Sequence, residues 1–275
     1  MNKDDIENIE INLLLEAIYQ RYGHDFRAYA RVSIKRRVRD ALLKSDCLTV
    51  MDLIQKILVE ESFFKWLLSH FSITVTDWFR DPLFYRALRK KVIPYLKTFP
   101  FVKIWHAGCA TGEEAYSLAI LLKEEGLYDK ATIFVTDFND DSLATAKKGI
   151  YPLSDITAAA GDYQQTGGTH SLNEYFYAKY DSLIVNKSLK KNITFANYNL
   201  VTDGVFGEMH LILCRNVLIY FDKSLQNKVL TRFDESLHYT GFIALGSKES
   251  LDFSTVRDHF KDFNKEEKIY QKIKH

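Results

Sequence analysis

A run of small residues with two acids behind it, Gly108, Ala110, Gly112, Glu113 and Glu114, is the stretch of this chain best suited to hold a ligand. It follows the apolar residues Val102, Ile104 and Trp105, of strand type, and precedes Ala115, Leu118, Ala119 and Leu122 at helical spacing. Strand, glycine turn and helix open a nucleotide-binding unit, in which Gly108 and Gly112 let the backbone turn sharply and let a ligand approach where a Cβ would collide. The spacing is not that of the dinucleotide fingerprint G-x-G-x-x-G. Two carboxylates at a helix start would repel a pyrophosphate and welcome an ammonium group instead. S-adenosylmethionine has that group and a sulfonium, and no phosphate. A further acid, Asp137, ends the apolar run Thr132 to Thr136. A carboxylate at the tip of the second strand can accept both ribose hydroxyls; the alternative is a cap on a helix starting near Asp140. Beyond the buried strand Met209 to Cys214, Arg215 and Asn216 would stand at the carboxyl edge of the sheet, where open α/β sheets bind ligands.

The elements that must position these groups follow from periodicity and turn chemistry. Ser72 to Leu88 is a linker in which Thr74, Thr76 and Asp77 alternate with apolar residues up to Arg80, and Asp81 and Pro82 then resemble a helix N-cap and first helical position. It either closes over a bound ligand or simply connects two domains. Upstream, three apolar stripes predict helices: Ile11, Leu14, Leu15 and Ile18; Val50, Leu53, Ile54 and Ile57; Phe63, Trp66, Leu67 and Phe71. Between the first two, Arg27, Arg31, Lys35 and Arg39 fall four apart, but Ser33 can cap a new helix and leave Lys35, Arg36 and Arg39 as the basic face. On sequence alone that face is a solvated surface. Downstream, Thr157 to Ser171 reads as a loop or short helix, and the residues either side of Tyr180, Asp181 and Ser182 as a β-hairpin. Ile193 to Phe195 returns to the main sheet and leads to Asn199 and Leu200. A helix from Leu225 to Leu237, a strand from Gly241 to Gly246 and a final edge strand from Lys268 to Ile273 complete the chain.

Composition sets outer bounds. With 275 residues and 47% hydrophobic content the chain can bury one sizeable core and a smaller appendage. A formal charge of +1 gives no bulk attraction to nucleic acid or to anionic membrane. Cys47, Cys109 and Cys214 lack CxxC pairing and read as small buried hydrophobes in a reducing cytoplasm. His106, His210 and the other histidines lack ligand spacing, so no metal is expected. A polar, acidic N-terminus and the absence of an uncharged apolar run of about 18 residues predict neither signal peptide nor membrane insertion.

Five ordered segments, IWHAGCATGEEAYSLAILL, TVTDWFRDPLFYRAL, FVTDFND, NYNL and CRNVLIYFD, resemble the chemotaxis-receptor methyltransferase family, the CheR type, and the similarity extends over nearly the whole chain. The resemblance implies a class I S-adenosylmethionine methyltransferase domain, an α/β Rossmann-like sheet, with a small N-terminal all-helical domain and an inserted antiparallel β-subdomain. The expected boundaries are 1–71 for the helical, partly basic domain, 72–90 for the linker, and 91–275 for the catalytic domain with 151–192 inserted. The implied activity is methylation of glutamate side chains on chemoreceptor cytoplasmic helices, with S-adenosylhomocysteine as product. Asp137 would bind the ribose, Glu113 the methionine amino group and Arg80 its carboxylate end. Thr74, Thr76, Asn199, Leu200, Arg215 and Asn216 would join Gly108 in lining the pocket, Tyr220 would sit near the methyl, and Lys35, Arg36 and Arg39 would meet the receptor. A cytoplasmic monomer is expected. The linker departs from the family pattern, with Thr74 in place of an asparagine and Asp77 in place of a glutamate. The hairpin turn is short and lacks glycines, so tethering to a receptor tail peptide is not expected.

Rival readings are a methyltransferase of this fold with another protein or small-molecule acceptor, a nicotinamide dehydrogenase, which Glu113 and Glu114 argue against, and a non-catalytic receptor adaptor.

Overall fold

The computed structural model describes residues 2–72 and 76–274. They cluster into two compact units, Met1–Ile73 with Leu218–Lys228, and Thr74–Val217 with Val229–His275.

The first unit is helical. In α1 (Lys3–Tyr22) the Asn2 side chain accepts from the Asp5 N–H while Asp5 accepts from the Asn2 N–H, and the helix ends at Gly23 with φ 75°. Ile11, Leu14, Leu15 and Ile18 are all buried, as their spacing requires. The second helix, α2 (Arg31–Lys44), starts at Ala30 without a side-chain cap, so Ser33 lies inside its first turn and does not begin a new helix. Tertiary contacts set this start: Tyr29 bridges Phe221, and the Ala30 N–H donates to the Tyr220 carbonyl at 2.8 Å. Next, α3 (Val50–Val59) opens on a Thr49–Asp52 capping box and buries Val50, Leu53 and Ile57. The fourth, α4 (Glu61–Phe71), buries Phe64, Leu67 and Phe71, with Tyr22 stacked on Phe64 at 3.6 Å. Phe63 and Trp66 remain half-buried, stacked on each other at 5.1 Å, so the buried face begins one residue later than the expected stripe.

The second unit is α/β. Its helical lead-in runs through α5 (Pro82–Ala87), a π-helical turn at Leu88–Val92 and α6 (Ile93–Leu96). There follow β1 (Val102–Ala107), α7 (Glu113–Glu124), β2 (Ala131–Asp137), α8 (Asp140–Lys148), β3 (Ile150–Pro152), α9 (Leu153–Gln165), β4 (Phe176–Lys179), β5 (Ser182–Val185) and β6 (Ile193–Asn197). The remainder is β7 (Met209–Cys214), α10 (Lys223–Glu235), whose first residues cluster with the helical unit, β8 (Leu237–Leu245), β9 (Phe260–Asn264) and β10 (Ile269–Lys272).

Seven strands form one sheet in the order β6-β2-β1-β7-β8-β10-β9. The first five are mutually parallel, and β10 runs antiparallel to both β8 and β9. Every residue of β7 is buried, the mark of a strand covered on both faces. Strand order moves outward from β1 through β2 to β6 on one side and restarts with β7 on the other, so β1 and β7 flank a topological switch point. This is the expected Rossmann-like class, with one correction. The strand at Ile269–Lys272 is not an edge strand, because β9 pairs outside it. The stretch expected as a loop or short helix is the larger part of α9 and the loop after it, and α9 buries Ile156, Ala159 and Tyr163. The hairpin is present as β4 and β5 around Tyr180, and β3 adds to it to make a three-stranded antiparallel sheet.

Candidate active site

The glycine loop after β1 is anchored from several sides. Gly108 and Cys109 donate main-chain N–H groups to the Thr136 carbonyl at 2.8 and 2.9 Å, and the Ala110 N–H donates to Asp137 Oδ2 at 2.9 Å. Gly108 has φ 78°, and a Cβ there would lie 2.5 Å from Val217 Cγ2. At Gly112, φ 99°, a Cβ would lie 2.7 Å from that of Ala146 on α8. Both positions therefore need glycine for backbone conformation and for space. Tyr151 of β3 donates its hydroxyl to the Thr111 carbonyl at 2.7 Å, so the small sheet also grips this loop.

The two acids that open α7 behave differently. Glu114 is buried between Arg215, whose Nη1 donates to it, and His106, whose Nε2 lies 3.5 Å away. Burial alone would raise its carboxyl, but the Arg215 charge and His106 outweigh that and hold it well below the usual range. Glu113 is 8% exposed, accepts from the Thr111 hydroxyl at 2.7 Å, and has no cation paired to it among the described residues. Burial pushes its carboxyl up to about 7. Of the two carboxylates expected to face an ammonium group, Glu113 alone is left for it, because Glu114 is compensated within the protein.

Asp137, at the tip of β2, accepts main-chain N–H groups on both oxygens, from Ala110 on Oδ2 and Asn139 on Oδ1 at 3.0 Å, with Phe138 as a further donor. Burial raises its carboxyl, and the N–H donors partly offset that. A carboxylate has about four acceptor sites, so capacity remains for a ribose hydroxyl. The alternative role as helix cap is filled by Asn139, whose side chain accepts from Asp141 and Ser142 at the start of α8.

Thr74 lies outside the described residues, and Thr76 is half-buried. Arg80 sits between two residues in left-handed conformations, Phe79 at φ 53° and Asp81 at φ 56°. Such strain in non-glycine residues costs on the order of 1 to 3 kcal/mol each and collects at functional sites. The Phe79 N–H is held by Ser117 Oγ at 3.0 Å, and the Arg80 guanidinium meets Asp77 at 2.6 Å and Asn216 Oδ1 at 3.5 Å. Arg215 has its guanidinium within the protein: Nη2 reaches Asp81 at 2.5 Å, Nη1 reaches Glu114 and the Arg80 carbonyl, and the group lies 3.9 Å over the Phe84 ring. Asp81 therefore holds Arg215 and makes no side-chain cap on α5. Asn199 closes its own turn by accepting from the Val201 N–H at 2.9 Å, and the Leu200 carbonyl accepts from Arg232 at 2.6 Å.

Gly108, Glu113, Asp137, Asn199, Leu200, Arg215 and Asn216 thus follow the carboxyl ends of β1, β2, β6 and β7. Tyr220 belongs to the helical unit, in a short turn at Leu218–Tyr220 with the Arg37 guanidinium 5.1 Å over its ring. Lys35, Arg36 and Arg39 lie on α2; Lys35 is 3.5 Å from Glu7 and Arg39 binds the same carboxylate at 2.8 Å.

Residues 74–269 match the family model described as CheR methyltransferase, SAM binding domain, and residues 9–72 match CheR methyltransferase, all-alpha domain. The chain belongs to the CheR methyltransferase family. Similar proteins include one from Pseudomonas putida provisionally named methyltransferase Cher3, 47% identical over 99% of this chain and 100% of that one. Proteins named chemotaxis protein methyltransferase are 27% identical in Listeria monocytogenes, over 83% of this chain and 85% of that one, and 26% identical in Borreliella burgdorferi, over 90% of each. As a CheR-family enzyme the protein is a methyltransferase, and its cofactor is S-adenosylmethionine. The residues present fit that group: Glu113 is a buried acid that a cation would relieve, and Asp137 has acceptor capacity. Sequence reasoning missed three CheR-site neighbours: Tyr151, Trp78, packed 5.1 Å from Tyr151 and 5.0 Å from Phe176, and Glu249. Only Glu249, an acid after a strand-end glycine, carried a local signal.

Proposed function

We propose that this CheR-family enzyme esterifies glutamate side chains on the cytoplasmic helices of chemoreceptors, the chemistry of sensory adaptation. The observation that carries the cofactor half of this reading is Glu113, a buried acid with no paired cation among the described residues, opening the helix that follows the glycine loop at the switch point. Relatives named chemotaxis protein methyltransferase support the acceptor half. Asp137 takes a ribose hydroxyl, Glu113 the amino group and Arg80 the carboxylate, exchanging part of its contact with Asp77. Thr74, Thr76, Gly108, Asn199, Leu200, Arg215 and Asn216 line the pocket, and the Tyr220 hydroxyl positions the acceptor near the methyl. Lys35, Arg36 and Arg39 meet the acidic receptor. Tethering through the hairpin is not part of the reading, since its tip is the two-residue turn Tyr180–Asp181.

Little acid or base work is needed. A glutamate with an unperturbed pKa near ~4.3 is already a nucleophile at neutral pH, so alignment over ~3 to 3.5 Å and exclusion of water decide the rate. When bound, S-adenosylmethionine supplies an electrophilic methyl group on a sulfonium. A tyrosine hydroxyl suits the acceptor side better than another cation, because charge is neutralised as the methyl moves.

The test is transfer of labelled methyl from S-adenosylmethionine to a receptor cytoplasmic fragment, followed by mild base. A glutamate ester releases the label as methanol. Base-stable label, or label confined to other proteins, would replace the receptor reading with another acceptor.

A further inference from the structure

Where β7 ends, at Cys214, the chain leaves the sheet ladder, and the N–H groups of Asn216 and Val217 need acceptors elsewhere. One side chain takes both. Glu249, beyond the end of β8 and 5% exposed, accepts from the Asn216 N–H on Oε2 at 3.0 Å and from the Val217 N–H on Oε1 at 2.9 Å. Its Oε2 also accepts from the Gly246 N–H at 2.6 Å. Main-chain donors converging on an acceptor-only head make an anion nest whose anion is a side chain of the protein itself. Gly246 lets the nest close: a Cβ there would lie 2.7 Å from Asn216 N and 2.8 Å from Glu249 Oε2.

The nest locks a turn that matters to the site. It holds Asn216 at φ 60°, a conformation that needs support in a non-glycine residue, with Oδ1 3.5 Å from Arg80 Nη1. It also seats Val217 over Gly108, so closely that a Cβ on Gly108 would meet Val217 Cγ2 at 2.5 Å. The β7 side of the crevice is thereby set against β1, with Asp137 on the β2 side.

We propose that Glu249 is a positioning residue for S-adenosylmethionine: it fixes the Asn216–Val217 turn without touching the cofactor. The proposal rests on the reading of Asn216 as a cofactor contact. A glutamine at 249 keeps the size but accepts on one oxygen only and turns an NH2 toward N–H donors. An aspartate keeps the acceptor head one methylene short.

The experiment measures S-adenosylhomocysteine binding by calorimetry, kcat and KM for S-adenosylmethionine, and Tm without ligand, in Glu249→Gln, Glu249→Asp, Asn216→Ala and the Asn216→Ala, Glu249→Gln double variant. Glu249→Gln should weaken binding by about tenfold to a hundredfold, the size of one lost hydrogen bond to a charged group. KM should rise with it while kcat at saturation stays within about twofold, and Glu249→Asp should fall between Gln and wild type. The double variant should fall short of the product of the two single effects, because Glu249 acts through Asn216. Wild-type affinity in a Glu249→Gln protein of lowered Tm, or fully multiplicative effects, overturns the proposal. If Glu249→Gln does not fold, Glu249→Asp carries the same comparison. Wild-type affinity in Asn216→Ala overturns the reading of Asn216 itself, whatever Glu249 does.

Discussion

Glu113 is a buried carboxylate and Asp137 a half-buried one, and desolvation acts on them against different partners. Asp137 is held by main-chain N–H groups and keeps acceptor capacity, so Asp137→Ala should weaken S-adenosylhomocysteine binding by on the order of 2 kcal/mol, measured by calorimetry. Unchanged affinity would remove it from the site. Glu113 has its folded pKa raised to about 7 from an ordinary 4.5, so the ligand-free fold keeps a proton that the unfolded chain has lost between those values. Its contribution to ligand-free stability therefore declines as pH rises through that window. Pairing with an ammonium needs the charged form, so ligand binding releases that proton and affinity should rise over the same range. Binding about tenfold weaker at pH 6 than near pH 7.5 is expected, and Glu113→Gln should be weaker throughout and nearly flat with pH. A flat profile in the wild-type protein would mean that another group meets the ammonium.

Helix α7 carries Glu113 at one end and Glu124 at the other, and the second end binds the inserted elements. Glu124 has a side chain only 1% exposed; Arg89 of the π-helical turn donates to it at 2.5 Å, Tyr175 donates to it at 3.1 Å, and Tyr163 of α9 also donates to it. Removing this acid leaves Arg89 to Glu125, which it also binds at 2.7 Å, and takes this acceptor from the two tyrosine hydroxyls, at about 1 to 3 kcal/mol for each buried group left unpaired. Glu124→Ala should destabilise the protein by about 3 kcal/mol in denaturant titration and speed amide exchange in α9 and β4, while β1 and β7 keep their protection. Equal loosening of all four would show that the network is part of the general core and not the fastening of the insertion. The same helix thus links the cofactor loop to the small sheet, a link that Tyr151 makes a second time through the Thr111 carbonyl.

Over the molecule as a whole the charge is close to balanced, +1, so attraction to the acidic receptor proposed as acceptor has to be local. The basic face of α2 is partly answered by α1, since Lys35 and Arg39 share Glu7, and Arg36 is exposed with no ion pair among the described residues. Surface pairs of this kind contribute little to stability, so a carboxylate of the proposed receptor can displace Glu7 at small cost. Arg36→Glu with Arg39→Glu should abolish methylation of a receptor fragment and leave S-adenosylhomocysteine affinity at the wild-type value. Wild-type methylation should fall steeply between low and moderate salt, as a Debye length of ~8 Å implies. Methylation by the double variant at the wild-type rate would move the docking surface elsewhere.

Local rules carried the sequence a long way. The apolar runs of β1, β2 and β7, the positive-φ glycines of the loop, the hairpin around Tyr180 and the acid ending β2 are all features of a few neighbouring residues, and each forms as its pattern requires. Partners distant along the chain were not legible. Glu114 looked like a ligand group because nothing within a helical turn of it is basic; its partner Arg215 lies 101 residues away and arrives only when β7 pairs beside β1. Ser33 had the chemistry of a cap, but a contact with Tyr220 sets the start of α2. The strand at Ile269–Lys272 had an edge-like alternation, and β9 covers it. Periodicity and turn chemistry act over a few residues, whereas charge pairing and strand order depend on which distant segments the completed sheet brings together.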